Sequence, residues 1–225
     1  MGKGSSAELA AEGVSLAYND GERTTFALRE VTLTLPAGRL YGIMGPSGSG
    51  KSSLLYILSG LKPPTAGAAR FGDFVYRERS NAEVTALRRA RFGFVFQQPF
   101  LLPYLTALEN AVTAAPKPDL TARDRARDLL REMGLGGMEN KLPSQLSGGE
   151  KQRVSVVRAM MNDPDVIFAD EPTAALDHRN GHRVVEALAT WRARGTVVIV
   201  THDPEMVRNA DEVVLLRDGM ISDVK

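Results

Sequence analysis

The sequence predicts an α/β layer fold built on a mainly parallel sheet, and three apolar runs carry that expectation. They are Leu40–Met44, Val166–Ala169 and Val197–Val200. Each ends in polar residues and each leads toward a helical pattern, the alternation expected of strands covered on both faces by helices. In open sheets of this kind ligands bind beyond the carboxyl ends of the strands. The polar residues that follow the three runs are therefore the first candidates for a site.

The other elements follow in chain order. Residues 1–7 read as a tail without an apolar signal core. Val31–Leu35 and the stretch Phe71–Tyr76 read as antiparallel strands in an N-terminal β subdomain. The middle of the chain, from Gln97 to Asn162, reads as helical. Thr106 with Glu109, and Ser147 with Glu150, have the capping-box spacing of a helix start. A third helix begins at Thr121, places Ala126, Leu129, Leu130 and Met133 on one face, and stops at Gly134. Pro116, Pro118 and Pro143 punctuate these helices. The expected organisation is one domain over 1–225. Its core is formed by 8–96 and 163–225, and 97–162 is an inserted helical subdomain.

Composition sets limits on function. The chain has 225 residues, 43% of them hydrophobic and 24% charged, enough for a sizeable core. A formal net charge of +1 provides no strong field to recruit nucleic acid. There are no cysteines, which excludes disulfides and cysteine-based zinc or iron–sulfur sites. No apolar run approaches the roughly 18 residues that span a bilayer, so a membrane role would run through a partner.

Gly45-Pro-Ser-Gly-Ser-Gly50-Lys51-Ser52 fits the phosphate-loop pattern G-x-x-x-x-G-K-[ST]. Average residue usage produces that pattern in roughly one chain in a hundred of this length. Here it also follows a predicted strand and precedes an apolar helix containing Leu54, Leu55, Ile57 and Leu58, which is the context it requires. Glycines let the backbone curl so that amide groups converge on phosphate oxygens, and the helix N-terminus adds partial positive charge. Gly45, Ser47, Gly48, Ser49, Gly50, Lys51, Ser52 and Ser53 are thus the candidate nucleotide-binding residues. Lys51 is expected to reach the β- and γ-phosphates, and Ser52 to hold Mg²⁺.

The run Val166–Ala169 ends in Asp170 and Glu171. Beside a phosphate loop, Asp170 suits a metal-bound water and Glu171 suits a general base that polarises the attacking water. Strand alternation would turn Glu171 away, so this assignment requires the strand to end here.

Leu146-Ser147-Gly148-Gly149-Glu150-Lys151-Gln152-Arg153 resembles the signature sequence of ABC ATPases. The resemblance extends over about Leu9 to Ser222, with the motifs in the family's order. Read from the residues alone, Ser147 caps a helix, Glu150 completes the box, and Val154, Val157 and Met161 form its buried face. Gly148 and Gly149 leave bare backbone at a positive helix end. The resemblance implies that Ser147, Gly148, Gly149 and Glu150 grip the γ-phosphate of ATP held by a second subunit, in a head-to-tail dimer. It implies further roles one position at a time. Tyr18 matches the aromatic residue that stacks on adenine. Gln97, rather than its neighbour Gln98, matches the glutamine that contacts Mg²⁺ and the attacking water. Asp177 matches the acid that crosses the dimer interface, and His202 matches the switch histidine at the γ-phosphate. His178 and His182 match no family position and read as a solvated helix face. Asp203 and Pro204 read as a helix cap and first turn.

These matches imply an ATP hydrolase that uses ATP and Mg²⁺, works as a homodimer, and drives an integral membrane transporter subunit from the cytoplasmic face of the inner membrane. The segment Pro99–Leu105 is unusually apolar for a loop, and the family uses this region as a groove for a membrane subunit, so Phe100 or Leu101 is expected to touch that partner. The phosphate loop, Phe96–Pro103 and the acidic-strand segment are similar to lipoprotein-releasing and macrolide-efflux ATPases. Residues 169–177 are also similar to glycolipid-exporter ATPases. Ser53 stands where those groups usually have threonine, and Ala114–Pro118 departs from their helical insert. One rival reading is an ABC ATPase that acts on nucleic acid or ribosomes. Such proteins usually carry coiled-coil insertions, zinc modules or two cassettes in one chain, and none is seen in this sequence. A second rival is a mechanotransmitter that gates a membrane enzyme.

Overall fold

A computed structural model describes residues 7–19, 21 and 24–225. The expected tail lies outside the described residues as far as Ser6. Ala7 is partly buried against the N-terminal core, a departure from that expectation.

Two sheets form the frame. The first is antiparallel, with β1 (Leu9–Asn19), β2 (Thr24–Leu35), β4 (Ala66–Phe71) and β5 (Phe74–Val75) in the order β2-β1-β4-β5. The expected strand over Phe71–Tyr76 is in fact a hairpin. Gly72 has φ 56°, which turns the chain between β4 and β5. The second sheet contains β3 (Leu40–Met44), β6 (Phe92–Val95), β7 (Val166–Asp170), β8 (Thr196–Thr201), β9 (Glu212–Arg217) and β10 (Met220–Val224). Its order is β10-β9-β3-β8-β7-β6, parallel except for the β9–β10 hairpin at one edge.

Alternation along β7 and β8 divides the interior in two. Phe168, Val198 and Val200 face the antiparallel sheet and α1 (Lys51–Leu58), in a core with Tyr41, Ile43 and Leu54. Ile167, Ala169, Val197 and Ile199 face the other way. There they pack with α3 (Ala107–Val112), α4 (Leu120–Glu132), α5 (Gly148–Met160) and α6 (His178–Thr190). The ring of Phe168 is fully buried, edge-on to Phe92 at 5.2 Å and stacked with Phe94 at 5.7 Å. Truncating a ring held this way costs about 3–5 kcal/mol.

The helices start where side chains can cap them. Thr106 and Ser147 form the expected capping boxes with Glu109 and Glu150. The helix expected at Thr121 starts one residue earlier, capped by Asp119, and gives way at Met133 before Gly134 with φ 68°. Helix α2 (Asn81–Arg91) is absent from the sequence reading, although Ser80 and Glu83 form the same capping box. Only Val84 of α2 is buried, so its periodicity is weak. Helices α3, α4 and α5 all lie between β6 and β7 in the chain. No helix among the described residues is long and apolar enough to cross a membrane.

Candidate nucleotide site

The phosphate loop runs from the end of β3 to the start of α1. Gly50 is the N-cap of α1 at φ 100°, and a Cβ there would stand 2.3 Å from the Ala27 carbonyl oxygen, so no larger residue fits. Gly45 is equally confined, with the Leu216 carbonyl oxygen 2.1 Å from a Cβ placed on it. No side chain caps α1, and its first turn carries no acidic residue. The first amide groups of the helix are thus left for an anion. Lys51 is buried to 7% exposure and donates to the carbonyls of Gly45 (2.9 Å) and Pro46 (3.0 Å). Ser49 lies beneath the loop, and its hydroxyl is buried without a hydrogen-bond partner.

Asp170 closes β7 behind this loop and is 7% exposed. The Ser52 hydroxyl donates to its Oδ1 at 2.8 Å, and the Tyr56 hydroxyl donates to its Oδ2 at 2.7 Å. Burial, and then the hydrogen bond to Asp170 and its charge, push the Tyr56 phenol up to about 12. The strand ends at Asp170, as the sequence reading requires. Glu171 then takes φ 47°, a left-handed conformation uncommon outside glycine, and its amide donates to the Val200 carbonyl at 2.9 Å. This kink sends the Glu171 carboxylate to His202 Nδ1, at 3.0 and 3.1 Å from the two oxygens. A carboxylate only accepts, so in this contact Nδ1 is the donor. His202 follows β8, and Asp203 caps the short 3-10 turn Pro204–Val207 as expected.

These groups surround one cleft of about 660 Å³. Its walls include Ser47, Gly48, Gly50, Lys51, Ser52 and Ser53 on one side, and Gln97, Glu171 and His202 on the other. Gln98 does not line it. Helix α5 holds the segment that carries Gln97 in place. The Gln152 amide donates to the Phe96 carbonyl (2.9 Å), and Arg158 donates to those of Pro99 (2.7 Å) and Phe100 (2.8 Å). Phe100 is 63% exposed, whereas Leu101 is partly buried against the helical core.

The remaining candidates stand away from the cleft. Tyr18, in β1, is 47% exposed rather than buried in the core, with the Lys62 ammonium 4.2 Å from its ring centre. Ser147 and Gly148 are exposed at the start of α5. The Ser147 hydroxyl accepts from the Glu150 amide at 3.3 Å, and the Ser147 amide donates to the Glu150 carboxylate at 2.7 Å. That backbone hydrogen bond holds the Glu150 carboxyl below the usual carboxylate range. Gly149 packs on Asn180, whose Cγ would be 2.9 Å from an added Cβ. Asp177 caps α6 and accepts from the amide (2.9 Å) and side chain (2.7 Å) of Asn180, so its carboxyl is likewise lowered. His178 is exposed and His182 partly buried, their rings 4.5 Å apart and outside the cleft.

Among the described residues no cluster of three or more His, Asp or Glu is arranged to hold a metal by itself. The Ser52 hydroxyl and the Asp170 carboxylate are hard oxygen donors. They suit Mg²⁺ as part of a shell completed by phosphate oxygens and water. The sequence reading did not single out Tyr56, because its position on an apolar helix face reads as packing.

The site can be set beside known proteins. The family model described as ABC transporter matches residues 28–174. A macrolide export ATP-binding/permease protein, MacB, of Rhodopseudomonas palustris strain HaA2 is 45% identical over 97% of this chain and 34% of its own length. A probable export ATP-binding/permease protein of Pseudomonas fluorescens strain Pf0-1 is 45% identical over 93% of this chain and 33% of its own. This chain thus spans about a third of the length of these curated relatives. Among solved structures, the ATP-binding cassette MJ0796, dimeric and bound to ADP and phosphate after hydrolysis, has a TM-score of 0.89 and 37% identity. That likeness covers 96% of this chain and 97% of the cassette. The uncapped phosphate loop, the acidic strand end and these likenesses agree, and the chain belongs to the ABC transporter family as one of its ATP-hydrolysing cassettes.

Proposed function

We propose that this chain is the motor of an export-type ABC transporter. Two copies close head to tail around two Mg²⁺-bound ATP molecules and act on an integral membrane subunit from the cytoplasmic face of the inner membrane. The observation that carries this reading is the division of the site. One cleft gathers Lys51, Ser52, Gln97, Glu171 and His202, while the glycine-flanked helix start at Ser147 stands exposed outside it. An exposed anion-suited helix end with no role in its own cleft is complementary to the cleft of a second copy.

In this reading the chain acts as one domain, 1–225, with 97–162 inserted. The amides of Gly48, Ser49 and Gly50 and the Lys51 ammonium cradle the phosphates, with Gly45 and Ser47 shaping the turn and Ser53 at its rim. Tyr18 offers its exposed ring to adenine. Ser52, Gln97 and, through water, Asp170 hold Mg²⁺. The metal, when bound, neutralises charge on the β- and γ-phosphate oxygens. Glu171 accepts the proton of the attacking water, and His202, held by Glu171 through Nδ1, contacts the γ-phosphate. Ser147, with Gly148, Gly149 and Glu150, grips that phosphate on the facing copy, and Asp177 lies at the junction between copies. Hydrolysis removes the bridge between Lys51 of one copy and Ser147 of the other, and the pair opens. Phe100 or Leu101, on a segment tied to α5, contacts the membrane subunit in this reading, and the exposure of Phe100 supports it.

The export branch rests on the likeness to export ATP-binding/permease proteins. Its test is affinity purification of Glu171→Gln protein from native membranes with ATP and Mg²⁺. Recovery of a protein with few membrane spans and a large periplasmic domain is the expected result. Recovery of a soluble nucleic-acid or ribosome complex would overturn the transport reading and leave the ATPase assignment standing.

A further inference from the structure

The two oxygens of Asp170 are held by two hydroxyls spaced four residues apart on α1. Ser52 donates to Oδ1 at 2.8 Å and Tyr56 donates to Oδ2 at 2.7 Å. Residues at that spacing share one helix face, so α1 presents both donors to β7 as a pair. Among the described residues no lysine or arginine forms an ion pair with Asp170, although it is only 7% exposed. Its negative charge is therefore fixed by neutral donors alone and stays available to a cation.

Packing does not account for the hydroxyl at position 56. The ring lies partly buried against the N-terminal core, next to Leu54, Leu55 and Ile57, where phenylalanine would fill the same space. The phenol oxygen adds one thing to that packing, a hydrogen bond to Asp170.

The geometry points to Tyr56 as a positioning residue for the metal-binding carboxylate. It pins the rotation of the Asp170 carboxylate, so that Oδ2 is held by the phenol and Oδ1 stays beside the Ser52 hydroxyl at the cleft wall. Without the phenol, the carboxylate can rotate away from the Ser52 hydroxyl, and the two oxygen donors no longer stand together for the metal. This deepens the reading of Asp170 given above and rests on it. Tyr56 itself does not touch the reacting atoms.

The experiment measures the affinity of the protein for a non-hydrolysable ATP analogue with Mg²⁺ and with chelator. The ratio of the two dissociation constants reports how strongly the site couples metal to nucleotide, with no turnover involved. Tyr56→Phe is expected to lower that ratio about tenfold, the lower end of the effect of losing an outer-shell partner. Affinity in chelator and the melting temperature should stay at wild-type values, since a merely structural role would move both. A wild-type ratio in Tyr56→Phe overturns the inference, and so does an equal loss of affinity with and without metal. Asp170→Asn, measured in parallel, separates the two levels. If it too leaves the ratio unchanged, the reading of Asp170 fails, and the inference about Tyr56 fails with it. If it lowers the ratio while Tyr56→Phe does not, only the inference about Tyr56 is lost.

Discussion

Helices α1 and α5 begin in opposite ways. At α1 no side chain covers the helix end, Gly50 is forced into a conformation only glycine tolerates, and the bare amides face a cleft. At α5 a complete capping box closes the end, with Ser147 accepting from the Glu150 amide and Glu150 accepting from the Ser147 amide. The first is committed to a ligand within its own chain. The second is satisfied alone and exposed. A serine hydroxyl that accepts from an amide still has its own proton to donate. Ser147 can therefore cap its helix and reach a phosphate on another molecule at once. The difference teaches that the cleft should govern binding and chemistry in each copy, while the α5 end should govern assembly.

Four measurements break or sharpen that contrast. The largest effect is expected from Glu171→Gln, which removes the base and keeps the shape. Phosphate release should fall by about 10²–10⁴-fold, while binding of a fluorescent ATP analogue is retained. Turnover at the wild-type rate would remove Glu171 from the mechanism. Next is Lys51→Ala. It should weaken nucleotide binding by the 1.5–3 kcal/mol or so typical of a charged hydrogen bond, read by equilibrium titration of the monomer. Ser147→Ala should show the opposite pattern. Monomer affinity for nucleotide should be unchanged, ATP-driven dimerisation in sedimentation should be lost, and stability should fall by about 1 kcal/mol from the missing cap. Weakened monomer binding in Ser147→Ala would erase the distinction between the two helix ends.

The smallest effect concerns the charge on the α5 cap. The Ser147 amide holds the Glu150 carboxyl below its ordinary value, against a smaller opposing effect of burial. A lowered folded-state value means that the stabilisation is full above the unfolded carboxylate pKa of about 4.3. It is lost as pH falls through the lowered one. Wild type should melt slightly higher than Glu150→Gln at pH 7, by the equivalent of about 0.5 kcal/mol at a helix N-terminus, and the two should converge in acid. A gap that persists at pH 2 would assign the role of Glu150 to shape rather than charge.

Much of the cleft was legible because its residues follow three buried strands whose apolar runs stand out. The loop glycines, Lys51, Ser52, Asp170 and His202 lie where those runs end, and the capping boxes at Thr106 and Ser147 mark real helix starts. What escaped has physical causes. Helix α2 buries one side chain, so no stripe announces it despite its capping box at Ser80. Strand β1 carries register shifts around Gly13, at φ 58°, which blur its alternation. The edge hairpin of β9 and β10 turns at Asp218 and Gly219, both at positive φ, a signal present in the sequence but short. Tyr56 looks like core from the sequence, because a hydroxyl that meets a carboxylate 114 positions away leaves no local pattern.

The left-handed backbone at Glu171 has an evolutionary consequence. At φ 47° a side chain with a Cβ costs about 1 kcal/mol relative to glycine. Selection for thermal stability alone would therefore favour glycine at position 171, with asparagine the next most tolerant choice. A library screened by heat and blind to phosphate release should enrich those residues there, and its winners would be sturdier proteins without the proposed base.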